Sequence, residues 1–177
     1  VKLSDCQLEI FQKNRHYVMK NVNARFDIDT NRAIRMNMTT GKFGGTAIGD
    51  GLTLDGRIDL KDVLKHRMPT LDMKLNIYGV DPASLGFGDS IHDKMTLLTA
   101  VTGDINRPFA SGRVTMPILR IPALTFENVV GDVTYQDGIL DFKEVYANVF
   151  GGKLKAKGVY NLDTRAYELT GVATDLA

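Results

Sequence analysis

Residues 52–60 read Leu52-Thr53-Leu54-Asp55-Gly56-Arg57-Ile58-Asp59-Leu60. Leu52, Leu54, Gly56, Ile58 and Leu60 fall on one parity, and Thr53, Asp55, Arg57 and Asp59 on the other. Successive side chains of a strand point to opposite faces, so this alternation predicts a half-buried β-strand. The same division returns where Leu71, Met73, Leu75 and Ile77 oppose Asp72, Lys74 and Asn76, and where Leu154, Ala156, Gly158, Tyr160 and Leu162 oppose Lys153, Lys155, Lys157 and Asn161. Ala24, Phe26 and Ile28 alternate with Arg25 and Asp27, Ile34, Met36 and Met38 with Arg35 and Asn37, and Tyr167, Leu169, Gly171 and Ala173 share one parity near the end. The chain is predicted to be almost entirely strand.

Turn signals separate these runs: Asp29-Thr30-Asn31, Gly49-Asp50-Gly51, Gln136-Asp137-Gly138, Gly151-Gly152 and Leu162-Asp163-Thr164. Links this short favour antiparallel neighbours, because a parallel crossover needs about a dozen residues or more. Two segments can form one or two helical turns. One is Asp59 to Arg67; the other is Asp81-Pro82-Ala83-Ser84-Leu85, with Asp81 as the cap and Pro82 in the first turn. Neither can cover a sheet.

An apolar-x-Gly-x-apolar pattern recurs at Gly56, Gly103, Gly112, Gly131, Gly158 and Gly171. Glycine inside a strand gives up packing and entropy, so its repeated use on the apolar parity points to a sharply curved sheet or to close approach across it. The plainer reading is that a sheet tolerates frequent glycine. Repetition also suggests an array of repeat units. With about ten one-sided strands and no helical lid, three arrangements bury the apolar face: a two-sheet sandwich, a closed barrel, or a sheet bent into a U. A transmembrane barrel alternates too, but it uses aromatic girdles. Here aromatics are 8% and Trp is absent.

The 177 residues carry 22 Lys and Arg against 21 Asp and Glu, a net charge of +1, which gives no electrostatic footprint for nucleic acid. A compact chain of this mass would bury roughly 70% of its unfolded surface. The single cysteine, Cys6, excludes an internal disulfide or a CxxC site. No run of about 18 apolar residues offers a membrane-spanning helix. The start, Val1-Lys2-Leu3-Ser4-Asp5, has no initial Met and no signal region, and it reads as a piece of a longer chain.

Chemistry is sparse. Gly41-Lys42-Phe43 and Gly44-Gly45-Thr46-Ala47-Ile48-Gly49 lack the order of a phosphate loop. His16, His66 and His92 are scattered, with no metal-ligand spacing, and read as surface residues. Ser111 lies outside any nucleophile elbow. Asn37-Met38-Thr39 is a glycosylation sequon inside a predicted strand. By elimination the chain reads as a binding or structural protein, with no enzyme activity, cofactor or metal expected.

The order of motifs from about residue 70 onward is more specific. Val101-Thr102-Gly103-Asp104-Ile105-Asn106-Arg107-Pro108-Phe109-Ala110-Ser111-Gly112-Arg113-Val114 is followed by Leu124-Thr125-Phe126-Glu127-Asn128-Val129-Val130-Gly131-Asp132-Val133. Then come Gln136-Asp137-Gly138-Ile139-Leu140 and Phe150-Gly151-Gly152-Lys153-Leu154. This order resembles the later part of the TamB family and its AsmA-like relatives, as does Leu75-Asn76-Ile77-Tyr78-Gly79-Val80-Asp81. The resemblance implies the periplasmic part of an inner-membrane-anchored envelope protein of a diderm bacterium. It implies a folded-over β-groove that carries phospholipid toward the outer membrane, and a role in outer-membrane biogenesis beside a BamA-like barrel.

The expectation is therefore an all-β, U-shaped, mostly antiparallel curved sheet with an apolar interior and one or two very short helices. Residues 1–177 would be one segment of a longer repeat protein, with sub-repeats 1–80 and 90–177 and with adjacent groove segments of the same chain as neighbours. The expected groove lining is Phe26, Ile28, Ile34, Met36, Leu52, Leu54, Ile58, Leu60, Leu71, Met73, Leu75, Ile77, Val101, Ile105, Val133, Tyr135, Leu154, Ala156, Tyr160, Tyr167 and Leu169. Phospholipid acyl chains are its expected occupants. Pro117 and Pro122 demand an edge, bulge or break between Met116 and Leu124. Two other functions fit the same strands: a scaffold for outer-membrane protein assembly by strand pairing, and a closed β-sandwich binding domain.

Overall fold

A computed structural model describes residues 1–12, 15–30, 32–43, 51–85, 91 and 93–176. The glycine-rich stretch 44–49, most of the turn around Asp50, Asn31 and His92 lie outside the described residues. The strands are β1 (Lys2–Gln12), β2 (Arg15–Ile28), β3 (Ala33–Thr40), β4 (Lys42–Phe43), β5 (Gly51–Asp59) and β6 (Thr70–Val80). They continue as β7 (Met95–Asp104), β8 (Arg107–Ile121), β9 (Leu124–Gln136), β10 (Ile139–Val149), β11 (Gly152–Asn161) and β12 (Tyr167–Thr174). All belong to one antiparallel sheet in the order β1-β2-β3-β5-β6-β7-β8-β9-β10-β11-β12, with the two-residue β4 beside β2. The sheet is curved and unclosed, since β1 and β12 stand at its two ends. A single sheet replaces the sandwich and closed-barrel alternatives.

The helical segments shrink to 3-10 turns at Val63–Lys65 and Pro82–Leu85. Asp81 caps the second: its carboxylate accepts the Ala83 N–H at 2.9 Å. Hairpin turns use left-handed residues, Asp137 (φ 49°) with Gly138 (φ 81°) and Phe150 (φ 47°) with Gly151 (φ 73°). That geometry matches the natural twist of the flanking strands. Pro122 and Ala123 (φ 68°) form the β8–β9 turn. Pro117 does not break β8, which runs through it.

Pro117 instead marks a crease. Before it Val114 and Met116 are buried; after it Leu119 and Ile121 are the half-buried residues, a three-residue step that inverts the parity. Its partner strand does the same between Phe126 and Val129, with Asn128 in the left-handed region at φ 52°. Equivalent steps separate Leu3 from Cys6, Met19 from Val22, Ile77 from Val80, and Phe142 from Val145. Left-handed Asp5 (φ 49°), Asn21 (φ 53°) and Gly79 (φ 58°) lie within the first three. Followed through the pairing register, the steps in β1, β2, β6, β8 and β9 sit at nearly one level across the sheet, whereas the Phe142–Val145 bulge lies nearer the margin, opposite Asp132 and Val133. An extra residue bends a strand and increases its twist, so a line of them folds the sheet along one axis.

Side chains replace ladder bonds interrupted near this line. Thr40 Oγ1 accepts the Leu52 N–H at 3.1 Å, Thr96 Oγ1 the Gly79 N–H at 3.3 Å, and Asn23 Oδ1 the Asp5 N–H at 3.2 Å. Asn21 Nδ2 donates to Asp5 Oδ1 at 2.8 Å. Among the described residues no buried side-chain polar atom lacks a partner. The core lies on the inside of the crease and joins Met19, Val22, Met38, Leu52, Val80, Met95, Met116, Val129 and Ala147. Val22 and Val80 are 0% exposed. A flat single layer cannot close off a side chain completely, so the inner face meets itself there.

Candidate functional site

The register aligns the inner face into rows that cross the sheet. One runs Phe26, Met36, Gly56, Met73, Val101, Ala110, Tyr135, Leu140, Tyr160 and Tyr167, each paired with the next. A second runs Ala24, Met38, Leu54, Leu75, Thr99, Gly112, Val133, Phe142, Gly158 and Leu169. A third, against the crease, runs Thr40, Leu52, Ile77, Leu97, Val114, Gly131, Val145, Ala156 and Gly171. None of the three contains a charged residue. Thr99, the one polar member of the second row, is buried and donates its hydroxyl to Leu75 O at 2.6 Å. Ten strands spaced at about 4.8 Å make this band about 43 Å long.

Burial grades across the band. Of the expected lining, Leu52, Met73, Ile77, Val133 and Ala156 are buried. Phe26, Ile34, Met36, Leu54, Ile58, Leu60, Leu71, Leu75, Val101, Tyr135, Leu154 and Tyr160 are half-buried. Ile28 (77%), Tyr167 (78%) and Leu169 (67%) share the inner parity but stand exposed at a strand end or on the edge strand. Ile105 is a correction: it sits in the β7–β8 turn, 42% exposed, because alternation was carried one residue past the strand end at Asp104. Residues not foreseen as lining include Val22, Met95 and Met116. Val22 was within reach by extending the Ala24 parity one step back, whereas Met19, beyond the left-handed Asn21, was not.

Glycines set the curvature. A Cβ on Gly56 would lie 2.3 Å from Asp72 O and 2.6 Å from Met73 Cα, and one on Gly112 would lie 2.0 Å from Leu98 O. Those contacts are with backbone of the adjacent strand, so no side chain fits without parting the sheet. On the reverse of Gly56 the outer face has a depression of about 590 Å³ lined by Arg25, Asp27, Arg35, Asp55, Arg57 and Lys74.

The outer face carries the charge. Arg113 Nε donates to Asp132 Oδ1 at 2.9 Å, Arg107 Nε to Asp137 Oδ1 at 3.1 Å, and Lys155 Nζ to Glu144 Oε1 at 3.0 Å beside the Tyr146 ring. The Arg107 hydrogen bond holds the Asp137 carboxyl below its usual range, and the Lys155 bond does the same for Glu144. His16 stacks on Phe11 and lies 3.0 Å from Glu9; His66 is exposed. Among the described residues no three His, Cys, Asp or Glu side chains converge as a metal site requires.

The accessible surface is 11088 Å². A compact monomer of this mass exposes about 8,500 Å², so this chain buries only about 60% of its extended surface where a globule buries about 70%. The excess is what a one-layer sheet with an uncovered inner margin produces. No family model, curated protein or solved structure matches the chain.

Proposed function

We propose that the inner face is a lipid-binding groove: a non-enzymatic surface that shelters acyl chains while headgroups stay at the open margin. The observation that carries this reading is the set of charge-free rows, continuous through every ladder from β3 to β12 and half-buried away from the crease. Each methylene withdrawn from water contributes about 0.8 kcal/mol. A bilayer core of about 30 Å holds two acyl chains end to end, so a band of about 43 Å has length for more than one chain along its axis. The motif order that resembles the TamB family supports the wider setting: a periplasmic bridge between inner and outer membranes that supports outer-membrane biogenesis with a BamA-like partner.

The test is native mass spectrometry and lipid extraction of the purified chain, with Leu75→Arg and Leu154→Arg as variants. Co-purified phospholipid is expected with the wild type and reduced with folded variants. A wild-type chain that takes up no lipid from vesicles, or folded Arg variants that bind it equally, would sink the reading. Strand-pairing scaffolding is a second reading; capture of an unfolded barrel segment by β12, with no lipid bound, would put it first.

A further inference from the structure

Residues 60–69 join β5 to β6, where the β7–β8, β8–β9, β9–β10 and β10–β11 links take two residues each. The loop lies in the interior of the sheet order and is braced from both sides. The Leu60 N–H donates to Arg32 O of the β2–β3 turn at 2.8 Å, and Pro69 O accepts the Ile105 N–H of the β7–β8 turn at 3.0 Å. Within the loop Asp62 O accepts the Lys65 and Arg67 N–H groups at 2.9 and 3.2 Å, and His66 turns the chain in the left-handed region at φ 58°. None of this bracing serves the core. No residue of the 3-10 turn is buried, and Val63 (42%), Leu64 (71%) and Met68 (52%) stand exposed. Ile105, hydrogen-bonded to Pro69, adds a fourth exposed apolar side chain from the adjacent turn. A contiguous apolar patch with a polar rim marks a surface that meets something other than water.

We propose that this loop seats on an anionic lipid surface, with Leu64, Met68, Val63 and Ile105 in the boundary between headgroups and acyl chains and Lys61, Lys65 and Arg67 against lipid phosphates. Charge is the first argument. The side chains of Lys61, Lys65 and Arg67 are 59%, 73% and 75% exposed, whereas those of Asp59 and Asp62, their partners, are 23% and 44% exposed. An approaching surface therefore meets the cations first, and their long stems can lie along apolar surface while the charge stays at headgroup level. Composition is the second. Residues 60–69 contain no Phe, Tyr or Trp, the anchors on which a protein interface draws, whereas aliphatic side chains among Lys and Arg suit an interfacial lipid layer. Place is the third. Along β5 and β6 burial runs from Leu52 and Ile77 at the crease to half-buried Ile58 and Leu71, so the loop stands at the open margin.

The proposal does not depend on what the inner face binds. Its test is co-sedimentation of the full chain with vesicles of mixed phosphatidylcholine and phosphatidylglycerol, and with vesicles of phosphatidylcholine alone. The chain should bind the mixed vesicles, release them as salt rises, and bind phosphatidylcholine far less. Leu64→Ser should lower the partition coefficient about tenfold, the loss of one large apolar side chain from the interface. Lys65→Gln should lower it about fivefold, the loss of one charge at an anionic surface. Both should leave the urea midpoint unchanged, since neither residue packs in the core. Phe150→Ser removes an apolar side chain of similar exposure (60%) at the opposite end of the strands and should leave vesicle binding unchanged. In a Cys6→Ser background, a bimane label on Leu64→Cys should shift to the blue on mixed vesicles, and one on Lys157→Cys should not. Leu75→Arg should keep vesicle binding, so that failure of the groove and failure of the loop are read separately. A chain that ignores mixed vesicles, equal binding to both kinds, an equal loss in Phe150→Ser, or a Leu64 label that shifts only with an added acidic protein would overturn the proposal.

Discussion

Replacing Gly112 by Ala probes the close approach of neighbouring backbones where it is tightest among the described glycines. At a strand position with room, Gly→Ala stabilises by about 0.4–1 kcal/mol because it restricts the unfolded chain. At Gly112 the new Cβ would lie 2.0 Å from Leu98 O and 2.7 Å from Thr99 Cα, where ordinary contact begins at 3.4 Å. Both atoms are backbone, so β7 and β8 must part by more than about 1 Å at the Thr99↔Gly112 pair. Losing about two ladder hydrogen bonds at about 1 kcal/mol each, with overpacking strain of about 1–3 kcal/mol, predicts a net loss of about 3–4 kcal/mol. Urea unfolding followed by circular dichroism reads this directly: with an m-value of about 2 kcal/mol/M the midpoint falls by about 1.5–2 M. Gly171→Ala is the control, since its nearest atoms are side chains at 3.2 Å on the exposed edge strand, and it should shift stability by less than about 0.5 kcal/mol. A neutral or stabilised Gly112→Ala would refute the close-approach argument. An equal loss in Gly171→Ala would reduce it to a general cost of changing strand glycines.

Other expectations follow from the same geometry. Val22→Ala, at 0% exposure, should cost about 2–3 kcal/mol, and Leu169→Ala, at 67%, less than about 0.5 kcal/mol, by urea midpoint. Asn128→Gly should be nearly neutral, whereas Asn128→Val should lose about 1–2 kcal/mol, because a β-branched side chain resists the left-handed region that Asn128 occupies at φ 52°. Asp137 has a carboxyl lowered chiefly by its hydrogen bond from Arg107, so its contribution is complete above the ordinary carboxylate pKa near 4 and is lost as pH falls through the lowered value. The stability gap between wild type and Asp137→Asn should therefore close as pH drops from about 5 to about 2, and a gap constant with pH would contradict the pairing.

Strand identity was legible because each ladder preserves the period of 2 between bends: Leu52 to Ile58 and Leu71 to Ile77 lie where alternation places them. The crease was not legible as such. It consists of three-residue steps at positions such as Asn21, Gly79 and Asn128, and a parity break in one strand looks like noise until the register sets it beside its neighbours. Pro117 showed that something happens there, but the outcome, a bend within a continuous β8, depends on the left-handed Asn128 beside it in the next strand. Ile105 was misread because Asp104-Ile105-Asn106 continues the alternation into a turn. Most of the expected lining residues share the parity of the core in the register. The gradient of the inner face from sealed crease to open margin is a tertiary property, set by which strands curve toward one another.

The strand order has a consequence for how the molecule folds and breathes. Apart from β4, each strand hydrogen-bonds only to the strand before and the strand after it in sequence, so the sheet is a chain of nearest-neighbour couplings. Such a topology keeps contacts local, which favours fast formation, and lets structure be gained or lost from an end without passing through a global transition. Amide exchange should then be graded, fastest in the fully exposed β12 and slowest in the middle strands around Ile77, Val80 and Val114, each protection time recording how many neighbours must let go first.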